Sequence, residues 1–242
     1  NKLGKFSGKA TDQDYVVFDE AARNGMNYMF VNQPYSTYGV LYTPTADDPK
    51  RLSTRHVAFV RVNEDGSKFP GHATYKGGVI AQISTYERRA SPWLEDQDEI
   101  SFDKKETIKD DGSVTVNVKM NGTTGKPMMD GVINSKAIGQ IKLGTQEVLD
   151  QSAHIGYPDP VIIRKNNHEA RGIAVHAKTT GQYAATFGGK NYSEVVGVVG
   201  ISKYVHSGLI DKTDHNAGLA EIKEGGKTYV VEEYKATFGA KK

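Results

Sequence analysis

Apolar and polar residues alternate with a period of two over most of this 242-residue chain, the signature of half-buried strands rather than helices. The pattern is sharpest near the carboxyl end. There Tyr183-Ala-Ala-Thr-Phe-Gly-Gly-Lys190 returns as Tyr234-Lys-Ala-Thr-Phe-Gly-Ala-Lys241, and the first copy runs straight into Asn191-Tyr-Ser-Glu-Val-Val-Gly-Val-Val-Gly200. Each copy is an alternating strand that ends in Phe-Gly. Two such strands with a Val-rich strand between them predict a closed antiparallel sheet whose corners are turned by glycine. Upstream, His72 to Ala81 and Ser113 to Met120 carry the same alternation, with Asp110-Asp-Gly112 as a hairpin signal before the second. A charged excursion from Tyr86 to Lys105, holding the only tryptophan, Trp93, separates them. Further strands are predicted at Met129 to Asn134, Ala137 to Leu143, Ala170 to Lys178, Gln182 to Phe187, Val195 to Tyr204, Ala217 to Lys223 and Thr228 to Phe238. About eight strands with short turns favour an antiparallel β-barrel over an open sheet with exposed edges. The longest irregular stretch between strands is Gln151 to Asn167.

Residues 1 to about 68 have a different texture. Asp19-Glu-Ala-Ala-Arg-Asn, stopped by Gly25, is the one plausible helix, and it is short. A strand at Tyr28 to Asn32 follows, then Gln33-Pro-Tyr-Ser-Thr-Tyr-Gly-Val-Leu-Tyr42, whose tyrosines alternate loosely with small residues. After a polar loop from Thr43 to Ser53, Arg55 to Val62 is again strand-like, and Asn63-Glu-Asp-Gly66 turns it. The fold class is therefore mainly β: a small amino-terminal sheet with a short helix, then the barrel.

Composition narrows the function. The 26 glycines and 13 tyrosines suit pleated sheet better than helix. The net charge of +2, from 31 basic and 29 acidic residues, leaves no electrostatic footprint for nucleic acid or an anionic membrane. Cysteine is absent, which removes disulfides, thiolate catalysis and every Cys-based metal site. No apolar run approaches the roughly 20 residues of a membrane-spanning helix. The chain begins Asn1-Lys-Leu-Gly, consistent with a removed signal peptide or a trimmed start, and export is the expectation. No G-x-S-x-G, dinucleotide fingerprint or phosphate-cradling loop is present, since Gly188-Gly189 lies between two strands, so no enzyme is expected.

Several segments together resemble a known family. Gly71-His-Ala-Thr-Tyr-Lys-Gly, the Phe187-Gly-Gly-Lys-Asn-Tyr-Ser-Glu-Val-Val-Gly197 run and the closing Phe238-Gly-Ala-Lys241 are similar to the barrel domain of transferrin-binding protein B and its lipoprotein relatives. Gln33-Pro-Tyr-Ser-Thr-Tyr-Gly39 resembles that family's handle segment, which precedes the barrel. One handle (1–70) and one eight-stranded barrel (71–242) in a chain of this size resemble the hemophilins, secreted haem carriers. The resemblance implies a hemophore that hands haem (heme b) to a TonB-dependent outer-membrane receptor, is exported by a surface lipoprotein assembly translocon, and takes its cargo from a source such as haemoglobin. The chain has no cysteine to lipidate, so a released form without a membrane anchor is expected. A host-association or adhesion factor of the same fold, binding a host protein or another small ligand through barrel loops, is the alternative.

Haem needs an iron ligand, apolar walls and partners for its propionates. The chain offers seven histidines, none at the spacing of a helical metal site. His56 leads as ligand, with Arg55 and Arg51 as propionate partners and Tyr38 and Tyr42 as walls, because one stretch of the handle would supply them all. His72, at the handle–barrel junction, is the candidate for the opposite face of the iron. His154 sits near Tyr157 in the irregular loop. His176 is read as outward-pointing or as satisfying a core contact, and His168, His206 and His215 as exposed. Tyr35, Tyr38 and Tyr42 are possible phenolate ligands, Tyr35 being read chiefly as packing. Trp93 could anchor a partner protein or fold back over an apolar surface, and the acidic run around Asp96 to Glu99 lacks the spacing of known calcium loops.

Overall fold

The computed structural model describes residues 2–10, 25–89, 100–150, 155–156, 160–161, 168–203 and 218–242. The predicted helix, the segment around Trp93 and Asp96 to Glu99, and His154, Tyr157, His206 and His215 lie outside the described residues. The amino-terminal part is a four-stranded antiparallel sheet in sequence order: β1 (Gly4–Lys9), β2 (Asn27–Asn32), β3 (Ser36–Pro44) and β4 (Leu52–Val60). Its first strand is absent from the sequence reading, because Gly-Lys-Phe-Ser-Gly-Lys shows a single apolar residue and is mostly exposed.

The remainder is built from β5 (His72–Arg89), β6 (Ile100–Met120), β7 (Pro127–Ser135), β8 (Gly139–Glu147), β9 (Leu149–Asp150), β10 (Ile155–Gly156), β11 (Pro160–Val161), β12 (His168–His176), β13 (Thr179–Gly188), β14 (Glu194–Ser202), β15 (Ala220–Glu224) and β16 (Lys227–Lys241). Eight of these close into an antiparallel barrel in the order β13, β14, β16, β5, β6, β7, β8, β12, and the β12–β13 pairing completes the ring. β9 extends β8 along β12, and β15 pairs with β16 beyond the ring. Closure removes free edges from the larger sheet.

Two sequence expectations need correction here. The charged stretch from Tyr86 to Lys105 is not a loop throughout: β5 continues to Arg89 and β6 resumes at Ile100, paired with it. Its charges are answered within the sheet, Arg89 by Glu87 on the same strand at 2.8 Å, Glu87 by Lys227 on β16 at 3.6 Å and Lys104 by Glu232 on β16 at 3.6 Å, so high polarity here does not mean irregular backbone. Asp110-Asp-Gly112 is no hairpin either but a bulge within β6, where the register against β5 slips between Gly78 and Ile80. Gly112 takes a φ of 112°, and the extra residue turns the Asp111 carboxylate into the barrel. There it accepts from Ser135 Oγ, from Tyr234 Oη at 2.7 Å and from the Ala137 amide at 2.9 Å.

The Phe-Gly repeats carry a third correction. Phe187 and Phe238 are both fully buried among Tyr75, Ile83, Val116, Met129 and Ile141 inside the barrel. Alternation then sends the next residue outwards, under the amino-terminal sheet. A Cβ at Gly239 would lie 2.2 Å from Tyr38 Cδ1, and one at Gly188 would lie 2.2 Å from the Arg61 carbonyl oxygen. These glycines do not turn corners. They bare the barrel wall so that the sheet can rest on it.

A second core fills the layer between sheet and barrel: Tyr38, Val40, Ala58 and Val60 from the sheet pack on Ile80, Ala184, Val196 and Val198 from the barrel's outer wall. The strands cross obliquely. Thr54 Oγ1 donates to Gln82 Oε1 on β5 at 2.9 Å, while at the other end of β4 Val60 stands over Gly188 on β13.

Candidate functional site

β4 alternates strictly, so Thr54, His56, Ala58 and Val60 share the face that meets the barrel, and Arg55, Val57 and Phe59 share the face that does not. His56 is 4% exposed within the packed layer. A porphyrin could reach its imidazole only by parting sheet from barrel. Arg55 is exposed on the opposite face of the same strand, so the two cannot flank one ligand. Tyr38 is also buried; its phenol is pushed up to about 12, first by burial and then by the Asp110 charge, and its oxygen accepts a hydrogen bond from the Gly78 amide. Tyr42 packs partly buried at the edge of the same layer. Arg51 is exposed, with Nε 3.8 Å from Glu106 Oε2.

His72 opens β5 at an exposed position opposite Lys119. Gln82, next to Thr54, lies ten positions further along β5, about 33 Å away at roughly 3.3 Å per residue. His56 is two positions from Thr54, so His56 and His72 are on the order of 25 Å apart and cannot ligate opposite faces of one iron. The six residues singled out in the sequence are thus dispersed over the inner layer, the outer face and the far end of the barrel.

The other described histidines serve packing. His176 is buried, with Nε2 2.5 Å from the Ile138 carbonyl oxygen, in line with a satisfied core contact. His168, expected to be exposed, is instead partly buried: its ring stacks on Phe69 at 4.5 Å and meets Tyr192 edge-on at 4.9 Å. Burial pulls its pKa below the usual imidazole value, holding the ring neutral at neutral pH.

What the structure does bring together is a cleft of about 710 Å³ where sheet, linker and barrel meet, lined by Tyr35, Phe59, Arg61, Val62, Glu64, Asp65, Gly189 and Lys190. Its size falls within the roughly 300–1,000 Å³ of small-molecule sites. Each wall has a cause. The Arg61 amide donates to the Tyr35 carbonyl at 2.8 Å, and the Arg61 carbonyl accepts from the Gly189 amide at 2.7 Å, so β4 is stitched between the turn before β3 and the end of β13. Gly189, at φ 75°, leads into a single 3-10 turn, Lys190–Tyr192, that presents Lys190. The linker wall is held by Asp65, whose carboxylate accepts from Asn63 Nδ2 and the Ser67 amide at 2.9 Å each and from the Asn191 amide at 2.7 Å. The Ser67 hydroxyl first, then the Ser67 and Asn191 amides and the Asn63 side chain, hold its pKa well below the usual carboxylate range and keep it charged. Asn63 Nδ2 also reaches the Gly189 carbonyl at 2.9 Å.

Asp65 is therefore committed to the frame. Arg61 and Lys190 are not: neither side chain forms an ion pair among the described residues. The cleft thus sets the cations Arg61 and Lys190, with the carboxylates of Glu64 and Asp65, beside the rings of Tyr35 and Phe59, a lining that offers a ligand both charged partners and a flat apolar surface. Tyr35 supplies the cleft's hydroxyl. Sequence reasoning treated Tyr35 as packing and passed over Arg61 and Lys190, since each is ordinary locally; the signal for Lys190 was the Gly-Gly pair that forces a turn in front of it.

Comparison with known proteins adds little to this geometry. No family model matches the chain, and no curated protein matches it. Among solved structures, it is similar to intact Ap-TbpB with its N and C lobes, at 14% identity and a TM-score of 0.45, covering 100% of this chain and 38% of that one. It is also similar to transferrin-binding protein B mutants from Haemophilus parasuis Hp5, one at 14% identity and TM-score 0.46 over 98% of this chain and 36% of that one. The isotype 1 protein from serogroup B Neisseria meningitidis gives 13% identity and 0.40, with the same coverage. The chain spans less than two fifths of these structures. A likeness of this size bears on neither ligand nor partner.

Proposed function

We propose that this chain is a non-catalytic, exported binding protein that carries a planar anionic ligand, haem foremost, in the cleft between sheet and barrel. The observation that supports this reading is a cleft of about 710 Å³ in which Arg61 and Lys190, neither in an ion pair among the described residues, stand with the rings of Tyr35 and Phe59. In this assignment Arg61 and Lys190 take the propionates, Phe59 covers a porphyrin face, and the Tyr35 phenolate reaches ferric iron, as tyrosinate does in some haem proteins. His56 is left to packing and His72 is too distant to assist. Release of the cargo to an outer-membrane receptor belongs to the same proposal.

Hemin titration with absorption spectroscopy tests it. A one-to-one complex with a shifted Soret band is expected, and Tyr35→Phe should change that spectrum while Arg61→Ala with Lys190→Ala weakens binding. Loss of the complex in His56→Ala, with Tyr35→Phe unaffected, would return the ligand role to the imidazole. A hemin spectrum unaltered by stoichiometric protein sinks the haem reading outright.

A further inference from the structure

Asn191 and Tyr192 both have left-handed backbone, at φ 54° and φ 49°, the one adjacent pair of non-glycine residues among those described to do so. That conformation is unfavourable for a residue with a side chain, least for asparagine and markedly for a bulky tyrosine. Gly189 just before them, at φ 75° and ψ 179°, occupies a region open essentially to glycine alone. Unusual backbone therefore flanks Lys190 on both sides. Strain of this kind persists only where the surroundings over-determine it, and it gathers at functional sites. From the linker, Asp65 Oδ2 accepts from the Asn191 amide at 2.7 Å, and Asn63 Nδ2 donates to the Gly189 carbonyl at 2.9 Å. From inside the barrel, the fully buried Tyr75 donates its hydroxyl to the Tyr192 carbonyl at 2.8 Å. From just past β16, Lys242 Nζ donates to the Asn191 carbonyl at 2.7 Å and the Lys242 amide to the Ser193 carbonyl at 3.0 Å. The Tyr192 ring is fixed as well, edge-on to Phe69 at 5.2 Å and to His168 at 4.9 Å.

We infer that the Gly189–Tyr192 turn is a strained spring held by Asp65, and that Asp65 is thereby the positioning residue that aims Lys190 at the anionic group of the ligand. This rests on the cleft being the ligand site. Tyr75, Phe69, His168 and Lys242 grip the turn beyond Lys190, whereas Asp65 grips the peptide that Lys190 itself begins. That peptide is planar, so a bond to its N–H fixes the whole plane and with it the Cα from which the Lys190 side chain leaves. Its carbonyl end is pinned only within the turn, by the Ser193 amide at 3.1 Å. The bond to Asp65 is charge-assisted, roughly twice as strong as a neutral one. Asp65 is a fixed post, since the Ser67 amide and Asn63 Nδ2 each hold its other oxygen at 2.9 Å. Without it the turn can relax towards ordinary backbone and re-aim Lys190. Electrostatics alone gives the opposite expectation. Asp65 lines the cleft, and a carboxylate there repels an anion, so removing it would tighten binding if charge were its whole contribution.

Asp65→Ala in the whole chain tests the spring without ligand and the positioning with it. In the ligand-free protein, the Asn191 and Tyr192 amides should exchange hydrogen at least ~10-fold faster, while the amides of β13 and β14 keep their protection. Unchanged exchange at Asn191 overturns the spring. With hemin as probe, Asp65→Ala should weaken binding about 10-fold, the loss of one charge-assisted contact. Equal or tighter binding overturns the positioning. The effect has to pass through Lys190, so in a Lys190→Ala background Asp65→Ala should change affinity by less than about 2-fold. An undiminished loss in that background also overturns it. Asp65→Asn, which keeps an oxygen for the Asn191 amide, should recover part of the affinity. So should Asn191→Gly added to Asp65→Ala, because glycine takes left-handed backbone freely; recovery in neither case removes the spring from the account. Should Asp65→Ala fail to fold, Asp65→Asn carries the exchange comparison. Absence of hemin binding by the unaltered protein refutes the cargo and leaves the exchange comparison to judge the spring.

Discussion

The interior of the barrel and the layer beneath the amino-terminal sheet are both cores, but they are built by different rules. Inside, large side chains such as Phe187, Phe238, Tyr234 and Met129 are fully enclosed, and the buried carboxylate of Asp111 has a donor for each oxygen. Beneath the sheet the apolar cluster is smaller, and it shares its space with buried polar groups, among them His56 and the hydrogen bonds that cross from one part to the other, Thr54 to Gln82 and Ser36 to Glu194. Bulk burial holds the barrel closed. Directional contacts decide where the sheet sits upon it, and the cleft inherits its shape from that placement.

The largest expected effect that would separate the two regions is Phe238→Ala, which empties the barrel centre and should cost about 3–5 kcal/mol in denaturant unfolding. Gly239→Val, at the next residue, attacks the other region. Its new side chain runs into Tyr38, so we expect roughly 1–3 kcal/mol of destabilisation from overpacking. Amide exchange should show the loss of protection concentrated in β3 and β4; equal loss throughout the barrel would erase the distinction. Ser36→Ala leaves the Glu194 carboxylate short of a donor and should cost about 1–3 kcal/mol.

Tyr38 offers a pH-based version of the same comparison. Its phenol is raised to about 12 in the folded protein, against about 10 in an unfolded chain. The unfolded state then loses its proton first as pH climbs, so the stability Tyr38 contributes is complete below about 10 and is lost between about 10 and about 12. Tyr38→Phe should flatten that decline in a urea melt series; an unchanged alkaline slope would show that other tyrosines carry it. The smallest effect is expected at Phe6, stacked on Phe30 at 5.4 Å on the sheet's partly exposed outer face, where Phe6→Ala should cost about 1 kcal/mol.

The closed barrel was legible because Val-rich alternation and the repeated Phe-Gly strands report one-sided burial directly. The meaning of the glycines was not. A glycine that turns a chain and one that lets another layer approach look the same in one dimension, and only the 2.2 Å clearance at Gly239 tells them apart. The Tyr86 to Lys105 stretch misled for a related reason: Glu87 and Lys104 find their partners on other strands, Arg89 apart, and pairing across a sheet leaves no local trace. At the candidate site the sequence placed His56 and Arg55 together because they adjoin, whereas a strand puts neighbours on opposite faces. Tyr35, Arg61 and Lys190 come together only through tertiary hydrogen bonds among Tyr35, Arg61 and Gly189.

The bare strip at Gly188 and Gly239 has an evolutionary corollary. Because the sheet touches down on main chain there, the barrel's outer wall offers a contour at those points instead of a chemical code. An unrelated top layer that kept one aromatic knob in the place of Tyr38 and an open peptide edge in the place of Arg61 would find the same foothold. Such a junction lets the upper layer diversify while the cylinder below stays as it is.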